Sequence, residues 1–121
     1  MEQGLKYLFD TYKLCYNLTK LQLSNSIKAF NEFKSIPNPT EEEIKNFNWL
    51  RDELFNVNYM MMEAHLAVEN LYDEYPDNIK KKIDAYDDLY LKVYTLTGEM
   101  AQYVSKIGFN LSDDFSEQIE L

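Results

Sequence analysis

The chain has 121 residues, 45% apolar and 27% charged, with 21 acids against 12 bases, a net charge of -9 and a pI near 4.5. That is enough chain for one core and too little for two. Three glycines and three prolines exclude a turn-rich β-sandwich and a Gly-rich phosphate cradle, and one His with one Cys excludes most metal sites.

The first segment, residues 2–35, is apolar at Phe9, Tyr12, Tyr16, Leu23, Ile27 and Phe30, a helical spacing. Ser24, Asn25 and Ser26 are poor helix formers in its middle, which leaves open whether the helix kinks or breaks there. Ser35-Ile36-Pro37-Asn38-Pro39 then ends it, because two prolines cannot continue a helix.

The second segment, residues 40–75, opens with a capping box, Thr40 with Glu43 three residues on. Glu41, Glu42 and Glu43 complement the positive end of the helix dipole. A seven-residue repeat follows: Phe47, Leu54, Met61, Val68 and Tyr75 at one position, and Leu50, Val57, Ala64 and Leu71 at another. Pro76 closes the segment, and Asp77 or Asn78 is the expected cap of the next. The third segment, residues 78–107, carries Ile79, Tyr86, Val93, Met100 and Ile107 beside Ile83, Tyr90, Thr97 and Val104, widened by Leu89, Leu96 and Tyr103. Gly108 is the expected stop, and residues 108–121 form a short tail or helix holding Phe109, Leu111, Phe115 and Ile119.

Short connections make neighbouring helices run antiparallel. The expected fold is therefore all-α: one domain over residues 1–121, an elongated antiparallel three-helix, coiled-coil-like bundle with a short C-terminal tail or helix.

Two helices carry a second apolar stripe opposite the first. On helix 1 it is Tyr7, Leu14, Leu18 and Leu21; on helix 2 it is Phe55, Tyr59, Met62 and Leu66, with Trp49 nearer that side than the seam. Numbers that sum to about 75 place the two stripes at the same height. A helix apolar on two faces is buried on two faces. The tail, a second copy or another protein is the candidate cover, and a homodimer is expected.

Charge is uneven. Residues 2–35 have five lysines and three acids, residues 40–75 nine acids and two bases, residues 76–107 five of each, and the tail four acids and no base. Asp52, Glu53, Glu63, Glu69, Asp73 and Glu74 give helix 2 an acidic surface suited to a basic protein partner and repellent to nucleic acid. Asp73 and Glu74 at the end of helix 2, and Lys80, Lys81 and Lys82 at the start of helix 3, oppose the helix dipoles, and pairing across the Pro76 turn is expected to offset this.

Catalytic constellations are missing from the pattern. A di-iron bundle needs Glu three residues before His, and Met62 stands there before His65. Adjacent acids such as Asp87-Asp88 point about 100° apart on a helix and form no metal clamp. Cys15 reads as a core residue. The Trp-x-Gly turn of small helical secretion proteins is absent, since the turn holds two prolines and Trp49 lies within helix 2.

No cofactor, no metal and no enzymatic activity are expected. The expected function is that of a small acidic antagonist, of the phage anti-defence or immunity type, that occupies the surface of a protein target, including a nucleic-acid-handling one. The alternative is a structural or adaptor coiled-coil subunit acting through homo-oligomerisation. No apolar run of membrane-spanning length and no signal peptide is present, so the expected location is the cytoplasm, that of the host if the chain is phage-encoded. Eleven lysines to one arginine suggest an AT-rich genome.

Overall fold

The structure is a computed structural model that describes residues 1–107. Four α-helices follow one another: α1 (Gln3–Lys34), α2 (Glu41–Glu69), α3 (Asp77–Asp84) and α4 (Tyr86–Ile107), with a 3-10 turn at Tyr72–Glu74 between α2 and α3. No strand occurs among the described residues. The tail 108–121 and its expected Gly108 stop lie outside them.

α1 is one unbroken helix through Ser24–Ser26, which answers the question the sequence left open. Its buried side is a seven-residue repeat, Leu5, Tyr12, Thr19, Ser26 and Phe33, alternating with Phe9, half-buried Tyr16, Leu23 and Phe30. Ser24 and Asn25 point outward, and burial of Leu23, Ser26 and Phe30 around them outweighs their poor propensity. Ile27, expected in the core, is exposed because it falls outside this repeat.

α2 starts as its capping box dictates: Thr40 N–H donates to Glu43 Oε1 at 2.9 Å, and Glu43 N–H to Thr40 Oγ1 at 3.1 Å. Phe47, Leu54, Met61 and Val68 are buried, while Leu50, Val57, Ala64 and Leu71 are half-buried. Phe33 stacks on Phe47 at 4.2 Å, Thr19 Oγ1 donates to the Val57 carbonyl at 3.3 Å, and Tyr12 lies 5.9 Å from His65. Positions climb α1 as they descend α2.

α2 stops at Glu69, short of the expected residue 75. The 3-10 turn redirects the chain so that Tyr75 is buried and its hydroxyl donates to the Leu5 carbonyl at 2.8 Å. Pro76 occupies the cap position of α3, where neither Asp77 nor Asn78 makes a side-chain cap bond. The Pro76 carbonyl instead accepts from Ile79 and Lys80. The expected dipole conflict disappears with these boundaries. Asp73 and Glu74 lie beyond α2, and Lys81 and Lys82 sit in the last turn of α3, the favourable end. Lys80 pairs with Asp77 at 4.0 Å, within its own helix, and Tyr72 bridges the turn by donating to Asp84 Oδ2 at 2.9 Å.

The expected single third helix is broken at Ala85. Tyr12 meets the chain just before the break, its hydroxyl donating to the carbonyls of Lys82 at 2.9 Å and Ile83 at 3.3 Å. A side chain inserted in the i→i-4 ladder bends a helix, and the bond from Leu89 N–H to the Ala85 carbonyl is stretched to 3.5 Å. The buried line of α4 runs Tyr86, Leu89, Val93, Leu96 and Met100. Tyr90, assigned to the seam by its seven-residue spacing, is exposed, and Leu89 and Leu96 take its place.

Aromatic rings concentrate at both ends of the core. Phe30, Phe33, Phe47 and Tyr103 form one cluster, and Phe9, Tyr12, Tyr75, His65 and Tyr86 the other. Between them the core narrows to Thr19, Leu54, Asn58, Met61 and Val93. No described helix is long and apolar enough to cross a membrane.

Candidate functional site

The second stripe of α1 is exposed along its whole length: Tyr7, Leu14, Leu18 and Leu21 face away from the buried repeat. Lys6, Lys13 and Lys20 each precede one of these residues and are exposed as well. The pairs Lys6-Tyr7, Lys13-Leu14 and Lys20-Leu21 therefore recur every seven residues, which sets a row of cations beside a row of apolar side chains.

On α2, Phe55 is 58% exposed, Tyr59 and Leu66 are exposed, and Trp49 is 65% exposed. Met62 departs from the stripe: it is half-buried and packs against the core. By helical spacing it is the member of the stripe nearest the buried line of α2.

The two stripes share a height but not a side. Leu50 and Phe47 of α2 line a surface groove with Ala29, Phe33 and Ile36, so that flank faces α1. Arg51 and Phe55 line a different groove of about 600 Å³ with Tyr94, Thr97, Gly98 and Ala101, so that flank faces α4. Tyr59, Met62 and Leu66 follow Phe55 at spacings of four, three and four and continue along the α4 side. Summed residue numbers give level along the helices, not direction around them, which is why the sequence placed both stripes in one band.

α4 completes the second face with residues that sequence reasoning missed. His65 stacks on Tyr86 at 3.8 Å and 10°, Tyr86 lies 5.6 Å from Tyr90, and Tyr90 6.2 Å from Tyr94. Tyr94 is 65% exposed. The signal was present in the spacing Tyr86, Tyr90, Tyr94, one ring every fourth residue, but the seven-residue assignment drew Tyr90 into the core. A Cβ added at Gly98 would meet nothing within 4 Å, so the groove floor is open.

Of the acids, Asp52 lines this groove. Asp52, Glu63, Glu69, Asp73 and Glu74 are exposed, and Glu53 is half-buried; Asp87 on α4 is exposed too. Arg51 is the one base lining the groove, and it lies 3.7 Å from Asp52. A third groove, between α1 and α4, is lined by Leu23, Ile27, Phe30, Leu91 and Leu96, with Lys34, Lys92 and Glu99 of mixed sign.

His65 sits between the rings of Tyr12 and Tyr86, with Nε2 3.5 Å from Glu69 Oε2. Burial holds its pKa below the usual 6.5, against the opposing pull of Glu69, Asp87 and Asp84. Burial likewise raises the Tyr12 phenol far above its usual 10.0. The arrangement suits stacking and hydrogen bonding of the core. Cys15 is half-buried and packs against the core cluster. No group of three or more His, Cys, Asp or Glu placed to hold a metal occurs among the described residues.

No family model, curated protein or solved structure matches the chain.

Proposed function

We propose that this chain is a non-enzymatic acidic binding protein, an antagonist of the anti-defence or immunity type, acting in the cytoplasm by occupying the basic surface of a protein target. The observation that carries the reading is the α2/α4 face. Phe55, Tyr59, Leu66, Tyr90 and Tyr94 are exposed on α2 and α4, where Phe55 and Tyr94 line a groove with Asp52, and the acids Glu69 and Asp87 are exposed farther along the same two helices. Exposed aromatic clusters mark protein interaction sites, since rings bury much area at little entropy cost. The acids select a basic partner and speed its approach. A nucleic-acid-handling protein offers such a basic surface, whereas DNA and RNA are repelled.

The residue pairings of α1 with α2 support an antiparallel, coiled-coil-like bundle as the scaffold, which presents this face on rigid helices. Rigid presentation lowers the ordering cost of docking.

The test is capture of a target by the tagged full chain. Phe55→Glu or Tyr94→Glu abolishes capture of the dominant partner, and Asp52→Lys with Glu69→Lys weakens it and flattens its salt dependence. Capture that survives all four substitutions sinks the reading.

The alternative, an assembly or adaptor subunit, draws on the α1 stripe, whose apolar side chains have no described cover.

A further inference from the structure

We propose that residues 108–121 fold back along the groove between α1 and α4 as an amphipathic helix, so that the three long helices gain a fourth. This groove lies along a different flank of α4 from the docking face proposed above and does not depend on it.

The groove has a volume of about 460 Å³ and is lined mainly by apolar side chains. Leu23, Phe30 and Leu96 are core residues that reach it, and Ile27 and Leu91, both exposed, stand beside them. A helix apolar on a second side calls for a cover on that side. α1 and α4 both supply such a side here, so one further helix laid between them covers both.

Position in the chain selects the occupant. α4 ends at Ile107, and there the two helices are level. The Tyr103 hydroxyl donates to the Lys34 carbonyl at 3.5 Å, and the Tyr103 ring lies 5.7 Å from Phe30. Phe30 and Lys34 line the groove, so residue 108 follows on from its mouth. A chain reversed at Gly108 runs into it. Leu111, Phe115 and Ile119 stand four apart, which sets them on one side of a helix. They span about 12 Å, and the α1 wall from Lys34 to Leu23 runs about 17 Å. Asp113, Glu117 and Glu120 fall on the opposite side. Docked this way, the helix buries its apolar stripe and leaves those acids in water.

Charge separates this groove from its neighbours. Residues 108–121 hold four acids and no base. The α1/α2 groove is lined by Glu32 and Glu43 and by no base, which repels such a segment. In the α2/α4 groove Arg51 lies 3.7 Å from Asp52, so the two charges cancel. The α1/α4 groove sets Lys34 and Lys92 against Glu99, a surplus of one base. Asp88 and Lys106, farther along the same line of α4, add one charge of each sign. Lys34 Nζ stands 4.3 Å from the centre of the Phe30 ring, at the end where the segment enters. A further groove with lysines, beside Phe9, Lys13, Lys82 and Ala85, lies about 33 Å from Ile107 at the far end of the bundle.

Thiol reactivity of the full chain tests this. In a Cys15→Ala background, Asn31→Cys places a probe in the α1/α4 groove, Phe55→Cys one in the α2/α4 groove and Leu14→Cys one on the outer edge of α1. Each reacts with a maleimide, once with the native tail and once with Phe115→Glu/Ile119→Glu, after urea unfolding has shown a cooperative fold. A docked tail that opens about a tenth of the time slows the Asn31→Cys reaction about tenfold relative to the altered tail. The slowing is the same at every protein concentration, and the Leu14→Cys and Phe55→Cys rates do not change. Equal Asn31→Cys rates with the two tails overturn the proposal, as does protection of Phe55→Cys in its place. Protection that is lost on dilution assigns the tail to a second copy and overturns folding back.

Discussion

The hydroxyl of Tyr12, the second member of the buried repeat of α1, donates to the carbonyl of Lys82 at 2.9 Å across seventy positions of sequence. This bond, shared with the Ile83 carbonyl, links the first helix to the junction of α3 and α4. Tyr12→Phe keeps the ring and deletes the bond. A loss of about 1 kcal/mol is expected in urea unfolding. The amides around Ala85 should become more protected from hydrogen exchange as the ladder re-forms, and faster exchange there would show that Tyr12 is not what breaks the helix.

Ser26 is 0% exposed and its Oγ has no hydrogen-bond partner among the described residues. A buried, unpaired hydroxyl is a cost the fold carries. Ser26→Ala should therefore leave stability unchanged or raise it. Thr19 is the contrasting position on the same seam, with Oγ1 bonded to the Cys15 carbonyl at 2.8 Å and reaching Val57. Thr19→Val should cost about 1 kcal/mol. Equal effects at the two sites would refute the distinction.

Met61 and Leu54 are fully buried in the narrow middle of the core. Truncating either to Ala removes packing that the rigid helices around it only partly close. Each should cost about 2–5 kcal/mol by chemical denaturation. The exposed Leu14→Ala should stay within about 0.5 kcal/mol of wild type.

His65 gives the fold a pH dependence of definite sign. Its native pKa lies below 6.5 because burial disfavours the cation. As pH falls through 6.5 the unfolded chain takes up the proton first, so stability drops between the unfolded and the native pKa. Above that window both states are neutral and the contribution is complete. The stability advantage of wild type over His65→Gln should therefore shrink on moving from neutral to mildly acid pH. An advantage that grows instead would mean that the Glu69 contact, not burial, governs the imidazole.

Gly98 lies within α4 with open space where a Cβ would go and no positive φ. Gly98→Ala should stabilise by about 0.5–1 kcal/mol, since glycine is the poorer helix former and gains nothing here from its freedom. A larger side chain at the same position fills the groove floor, so Gly98→Leu should fold and yet block docking there.

The local features of this fold were legible in the chain and the non-local ones were not. Thr40 and Glu43 form the capping box that their spacing announces, and Phe47, Leu54, Met61 and Val68 are buried as their period requires. The α1 repeat was harder to see because two of its members, Thr19 and Ser26, are polar, so an apolar count stops at a seam that the backbone continues. The break at Ala85 lies where a hydroxyl seventy residues away meets the Lys82 and Ile83 carbonyls, a contact that leaves no mark in the α3–α4 sequence. Of the candidate site, the exposed residues of α1 and α2 were visible as surplus apolar positions. Tyr90 and Tyr94 were not, because a seven-residue period cannot tell which flank of α4 meets α2.

Trp49 is the sole tryptophan, and it stands 65% exposed near the start of α2. Its emission in the native state should therefore be that of a hydrated indole. Unfolding should shift the spectrum little, so fluorescence is a poor gauge of this protein's denaturation. For the same reason it is a good optical gauge of contact: an object that settles over the first turns of α2 excludes water from the ring and moves the emission to the blue.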